Sequence, residues 1–258
     1  MVSARYDWEA TRDGFGFRET EVSARMGTYP IFGPPPPFIT ASFAHAAFDV
    51  PASLDVPHNL YTLGVELSWM RPICEDWVLR LSVTPTFASD FENTSAEAWR
   101  IRAMALAFHD WTPEWKVGLG VVATGRQDLP LLPGIGAIWT PTPDVKVDLF
   151  FPRPRYSYRL AANESRETWA YVGGGLSGGT WAFERRDGSD DLLTYRAWQL
   201  LTGVEWTPPT SKGPRSTRTG LRGFAEAGYV FGRRLEFDSG EPDYEPDGSG
   251  LLSLGLSY

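Results

Sequence analysis

Apolar residues recur at every second position in run after run of this chain, and nowhere do they keep a 3.6-residue rhythm over a useful length. In "YTLGVELSW", Tyr61, Leu63, Val65, Leu67 and Trp69 share one face of an extended strand and Glu66 lies on the other. In "WVLRLSVTPTF", Trp77, Leu79, Leu81, Val83 and Phe87 oppose Arg80, Ser82 and Thr84. The same alternation sets Trp99 and Ile101 against Arg100 and Arg102, and Val117, Leu119 and Val121 against Lys116, Gly118 and Gly120. It places Ala225, Ala227, Tyr229 and Phe231 opposite Glu226, and ends on Leu252, Leu254, Leu256 and Tyr258. Side chains of a strand alternate between its two faces. The chain is therefore expected to be all-β, with one apolar and one polar face.

Turn signals separate the runs, and they differ in character. "RPICED", "DWTPEW" and "TPTPD" are short and carry Pro or charge, and "TPPTSKGP" is a further turn signal. "FASDFENTSAEAW", "ERRDGSDDLL" and "DSGEPDYEPDGSG" are longer and acidic. Short turns at one end and long loops at the other are the arrangement of a transmembrane β-barrel, whose strands need only about 9–11 residues each. Trp69, Trp77, Trp99, Trp111, Trp115, Trp139, Trp169 and Trp206 fall at strand ends on the apolar face, where interfacial girdles form. The expected fold is one antiparallel transmembrane β-barrel over residues 1–258, with about 12 strands and a range of 10 to 14. Its short turns are periplasmic and its longer polar loops face outward. No charged segment followed by an apolar run stands at the N-terminus, so either the protein is cytosolic or a signal peptide has been removed.

Composition narrows the function. A net charge of -8 with no long basic run speaks against nucleic acid. The lone Cys74 gives no disulfide framework. His45, His58 and His109 form no metal spacing, and the acidic loops lack the ordered ligand spacing of an EF-hand, so no cofactor is expected. Ser42 and His45 lie on opposite strand faces and make no nucleophile–base pair. "GGGLSGG", Gly173–Gly179, has no following Lys-Ser/Thr; its glycines suit bending or close packing.

The segment "VKVDLFFPRPRYSYRL" carries a change of parity. Val145, Val147, Leu149 and Phe151 are apolar and odd-numbered, whereas Tyr156, Tyr158 and Leu160 are even. Such a change needs an extra residue or a turn, and Pro152 and Pro154 cannot donate to a ladder. A bulge in one long strand and a reversal between two short strands both satisfy this. Only the reversal leaves the acidic loops around 185–192 and 238–250 on the same side. Arg155 or Arg159 then meets an interior acid, Asp148 or Glu205.

"TPTFASDF", "WTPEWKVGLGVV" and "LPGIGAIWTPTPDVKVDLFFPRPRYSYRL", with "GGTWAFERRDG" and "EAGYVFGRRLEF", resemble an uncharacterised domain-of-unknown-function family of outer-membrane β-barrels frequent in planctomycetes. The likeness covers nearly all of the chain after about Thr28. It implies an outer-membrane location and a cleaved signal peptide, and it carries no catalytic residue.

The polar face also includes Glu19, Glu21, Arg25, Arg222, Arg234 and Glu236. The candidate lumen set is Glu66, Arg80, Arg100, Arg102, Lys116, Lys146, Asp148, Arg155, Arg159, Glu205 and Glu226. Opposite charges there either fill a narrow interior as a structural network or tune a channel for small polar solutes. The expected partners are outer-membrane lipid, such solutes, and the barrel assembly machinery through the last strand ending at Tyr258. A soluble lipocalin-like barrel with an apolar interior ligand is the alternative, and an outer-membrane lipid-modifying enzyme is a third.

Overall fold

The computed structural model describes residues 1–30, 33–209 and 220–258. Its strands are β1 (Val2–Arg12), β2 (Phe15–Gly27), β3 (Phe38–Asp49), β4 (Asn59–Cys74), β5 (Trp77–Ser89), β6 (Trp99–Asp110), β7 (Trp115–Ala123), β8 (Leu131–Pro133), β9 (Gly136–Thr142), β10 (Val145–Asp148), β11 (Arg155–Ala162), β12 (Glu167–Glu184), β13 (Asp190–Thr207), β14 (Arg222–Phe237) and β15 (Ser249–Ser257). Neighbours in sequence pair antiparallel, and β1 pairs with β15 to close the sheet on itself. The β8 and β9 pieces face β7 in one continuous register, interrupted where Gly134 N–H donates to the Gly120 carbonyl. They are two halves of one stave, so the fifteen strands make a ring of fourteen.

Fifteen strands exceed the expected range of 10 to 14, and fourteen staves stand at its upper end, above the central value of about twelve. The extra staves come from segments whose apolar alternation is weak: β1, where Ala4 and Ala10 stand among the aromatics, and the interrupted β8–β9 stave. The turns named from composition sort as expected, although the connection from β2 to β3 lies with the short turns and the Asp13-Gly14 turn with the long loops, so length alone does not divide the ends. Residues 75–76, 111–114 and 143–144 lie at one end; residues 90–98, 185–189 and 238–248 lie at the other with the Asp13-Gly14 turn. Of the "TPPTSKGP" signal, residues 210–214 fall outside the described residues.

Pro-Arg-Pro reverses the chain. Asp148 stands opposite Arg155 and Val145 opposite Tyr158, so the reversal centres between Phe151 and Pro152. Val147, Tyr156 and Tyr158 thereby share the outer face although their parity differs.

The outside is apolar. Leu63, Val65, Leu67, Val83, Leu119, Val121, Leu200, Leu252, Leu254 and Leu256 are exposed, Leu119 at 55%. Aromatic rings bracket this belt. At the long-loop end Tyr61 stacks with Phe43 and His45 and approaches Phe91, and Phe87 meets Trp99. At the short-turn end Trp115 stacks on Trp139, and Trp77 on His109. From Tyr61 to Trp69 the strand climbs roughly 26 Å, or about 20 Å once tilted, close to the apolar band of a membrane barrel. Two expected girdle positions differ. Trp169 stands opposite Arg159 on the inner face and donates to Glu167 at 3.3 Å, and Trp111 sits in a turn. Strand-end position alone does not fix which face a ring takes.

The ring narrows toward the long loops. There β5 meets β12 through a parallel bridge, Ala182 to Ser89, and Glu184 N–H donates to Asp90 at 2.9 Å. Above that bridge nine staves close the barrel: β12 to β15 and β1 to β5. Their inner face is apolar. Phe15, Phe17, Phe48, Leu60, Trp181, Phe183, Leu193, Tyr195, Leu235 and Phe237 form one buried cluster.

Leu119→Arg, at the middle of the exposed belt, should lower stability by roughly 2–4 kcal/mol in reversible unfolding from lipid bilayers. The same substitution on a water-facing wall would change little.

Candidate functional site

The lumen is built from inner faces of strands whose outer faces are apolar. On β1, Arg5, Asp7 and Glu9 alternate with Tyr6 and Trp8; on β2, Glu19 and Glu21 alternate with Thr20 and Val22. These inward residues meet Ser42, Thr62, Thr86, Arg100 and Arg102 around a cavity of about 310 Å³. Phe17, Ala88 and Trp181 of the aromatic cluster form its roof, and Trp181 Nε1 donates to Thr62 at 3.0 Å. A second cavity of about 500 Å³ adjoins it, sharing Glu21, Ser42, Arg102, Thr124, Arg126 and Arg153 and adding Glu66, Ser82 and Thr84.

Two irregular segments enter this space. The Pro-Arg-Pro turn brings Pro152 and Arg153 to the second cavity, and Arg153 donates to the Leu176 carbonyl at 3.4 Å. Phe150 turns inward against Phe108, ring centroids 5.4 Å apart. Residues 124–130, after β7, carry Arg126. Its guanidinium pairs with Asp128 at 2.9 Å and donates to the carbonyls of Ser177 and Tyr195. Arg126 thus ties the loop to β12 and β13. The "GGGLSGG" run lies alongside, close enough for Gly174 N–H to donate to the Pro154 carbonyl at 3.2 Å.

The eleven candidate residues fall into three places. Arg100, Arg102 and Glu66 line the cavities. Arg155, Glu205 and Glu226 surround Tyr171: Arg155 reaches Glu205 at 2.7 Å and lies over the Tyr171 ring at 3.4 Å, and the Tyr171 hydroxyl donates to Glu226 at 2.6 Å. The others stand toward the short-turn mouth or in turns. Lys116 pairs with Asp110 at 3.0 Å and Arg159 with Asp144 at 2.7 Å. Lys146 stands opposite the inward Ser157. Arg80 is exposed on the face of Ser82 and Thr84. Asp148 accepts the Phe150 N–H at 3.1 Å, holding the turn in place.

Arg234 and Glu236, expected inside, point out. Gly232 has φ +57°, a conformation that L side chains avoid, and the β13–β14 register shifts beside it. Beyond the bulge Arg233, Leu235 and Phe237 face inward, while Arg234 joins Glu236, Asp243 and Glu245 outside. Arg233 is fully buried; it donates to the Asp247 carbonyl at 2.8 Å from Nε, and its Nη1 stands 3.9 Å from Glu9. Glu9 in turn accepts the Tyr195 hydroxyl at 2.6 Å. This network ties loop 238–248 over the aromatic roof. Arg185 adds a second tie through Asp191 at 2.5 Å and Glu241 at 3.2 Å.

Sequence reasoning passed over Arg5, Asp7, Glu9 and the roof, although their parity carries a signal. Phe17 shares a face with Glu19 and Glu21, and Phe48 with Thr40 and Ser42. An apolar residue on the polar face near a long loop marks a plug. Arg126 and Arg153 lie in irregular segments, where no periodicity places them.

With Cys74 replaced by Ser, a cysteine at 254 should react with a lipid-phase maleimide and one at 102 only with a small aqueous one. A cysteine at 48 should resist both. Labelling of position 48 from water would mean that the roof is open.

Residues 39–210 match the family described as a domain of unknown function (DUF6268), and the chain belongs to that family. No curated protein matches the chain. Among solved structures it is similar to the KdgM porin, with 9% identity, 99% of each chain covered and a TM-score of 0.39. It is similar to the NanC porin, with 11% identity, 100% of this chain and 99% of that one covered and a TM-score of 0.41. A third is a bacterial polysaccharide outer membrane secretin, with 7% identity, 99% and 96% covered and a TM-score of 0.45.

Proposed function

For this DUF6268 barrel we propose a place in a bacterial outer membrane, spanned as a narrow, polar-lumened channel whose long-loop end is shut in the present conformation. The observation that carries this reading is the inverted distribution of polarity. Leu63, Leu119, Leu200 and Leu254 are exposed on the outside of a closed barrel, while Arg, Glu, Ser and Thr line the inside. A water-surrounded monomer rarely exposes a continuous apolar patch beyond a few hundred Å². Lipid on the outside and water in the lumen satisfy both surfaces. A lipocalin-like barrel would need the opposite arrangement, since its interior takes an apolar ligand.

The roof accounts for the narrowness. Phe17, Phe48, Trp181 and Tyr195 meet across the nine-stave section, with Phe48 and Trp181 centroids 5.5 Å apart. Apolar constrictions block ions by excluding water. The polar chamber beneath is thus reached from the short-turn side. Passage to the other side requires the roof to rearrange or loop 238–248 to lift.

In planar bilayers the purified protein should show little or no steady conductance. Phe17→Ala combined with Trp181→Ala should raise single-channel conductance by about tenfold. Large, steady currents from the unaltered protein would contradict the shut roof; a silent double variant that still inserts would contradict the channel.

A further inference from the structure

The polar chamber contains charges that have not neutralised one another. Arg5 is paired with Asp7 at 2.7 Å, and Arg126 with Asp128. Among the described residues no ion pair within 4 Å engages Glu19 or Glu21 on β2, Arg102 on β6, or Arg153 in the Pro-Arg-Pro turn. All four line the same 310 Å³ cavity. Opposite charges in one small space ordinarily close to contact. Glu19 lies within electrostatic range of Arg102 and of Arg153 through the lumen, yet none of these pairs closes to contact; along the wall, four staves at about 4.8 Å each put roughly 19 Å between β2 and β6.

Arg102 spans part of that gap. Its side chain lies along the wall across β5, and Nη2 comes to rest over Gly64 of β4, 3.7 Å from where a Cβ would stand. A Cβ at 64 would meet the guanidinium at ordinary contact distance and press on Ser42 Oγ at 3.0 Å. Beyond Gly64 the floor is hydroxylic: Ser42 pairs with Gly64 on one side and with Ser23 on the other. Ser42 lines both cavities, and Glu21 stands two residues along β2 from Ser23. Across the chamber the order is therefore a free guanidinium, a hydroxyl, and a free carboxylate.

We propose that this chamber is a binding site for a small zwitterion of the amino-acid or short-peptide class. Its carboxylate lies on Arg102, its ammonium on Glu21 and Glu19, and its polar middle over Ser42. A guanidinium presents a planar donor fork that matches a carboxylate, and a carboxylate pair accepts the donors of an ammonium. A simple anion would satisfy only the arginine side and would sit against the acidic β2 wall. A simple cation would have the converse problem. A solute carrying both charges in one molecule answers both walls, and the cavity lies at the small end of the roughly 300–1,000 Å³ typical of small-molecule sites. This assignment rests on the channel reading, since it takes the lumen to be water-filled.

Titration calorimetry of the folded protein in detergent micelles tests it, with folding checked independently by heat-modifiable migration in gels. The probes are glycylglycine, N-acetylglycine, which lacks the ammonium, and glycinamide, which lacks the carboxylate. Glycylglycine should bind at least about tenfold more tightly than either single-charge analogue. Arg102→Gln should erase its advantage over glycinamide, and Glu21→Gln its advantage over N-acetylglycine, each leaving the heat-modifiable band in place. Equal binding of glycylglycine and N-acetylglycine, with Glu21→Gln without effect, would make the chamber an anion site and overturn the proposal. Absence of binding by any probe to a heat-modifiable barrel would overturn it as well. A protein that stays monodisperse without detergent and shows no heat-modifiable band would instead overturn the membrane reading beneath it.

Discussion

A strand in hydrocarbon has no water to take its N–H and C=O groups, so every one must find a neighbouring strand. Pairing of β1 with β15 meets that demand for the chain as a whole, and the rest of the architecture follows from how the ring is completed. Once the sheet has closed, each stave has a lipid face and a lumen face, and period-two alternation becomes obligatory. The outward Leu and Val residues and the inward Arg and Glu residues are two sides of that requirement. Where the demand lapses, above the apolar belt, β12 and β13 extend to 18 residues each and the ring contracts. The β5–β12 bridge then closes nine staves about an aromatic cluster instead of fourteen about a polar-lined cavity.

That change of circumference makes the molecule a blind vessel. The wider section leaves room for the Pro-Arg-Pro turn and the Arg126 loop to fold toward the lumen. The narrower section fills with Phe, Trp and Tyr, as a small soluble core does. Buried charge stands beside that core only where it is tied: Arg233 to Glu9 and the Asp247 carbonyl, Arg185 to Asp191. Isolated charges in such surroundings are costly, and removing one member of a buried pair commonly costs about 3–5 kcal/mol. These ties hold loop 238–248 down, so the roof and the loop above it form one unit.

Much of this was legible in the chain. Alternation in residues 61–69, 77–87 and 252–258 fixes which side of each strand is outside, and the acidity of the longer connections separates the two ends. The parity change across Pro152 and Pro154 is resolved by strand geometry into a reversal, and Arg155 finds Glu205. Other features depended on tertiary placement. Gly232 in a strand could signal a bulge or close packing, and only its φ of +57° flips Arg234 and Glu236 outward. Trp169 at a strand end reads as a girdle residue but faces Arg159 inside. The contact between β5 and β12 joins segments nearly a hundred residues apart, and neither carries a local mark of it. Without that contact the narrowing, and hence the roof, cannot be inferred.

Nuclear Overhauser contacts between lipid acyl chains and leucine methyl groups in nanodiscs measure the inside-out assignment directly. Leu63, Leu119, Leu200 and Leu254, exposed on the outer wall, should each show contacts to acyl methylenes. Leu60, Leu193 and Leu235, fully buried in the roof, should show none. Acyl contacts to the second set, or their absence from the first in a folded sample, would contradict a barrel with lipid outside and a sealed aromatic roof within.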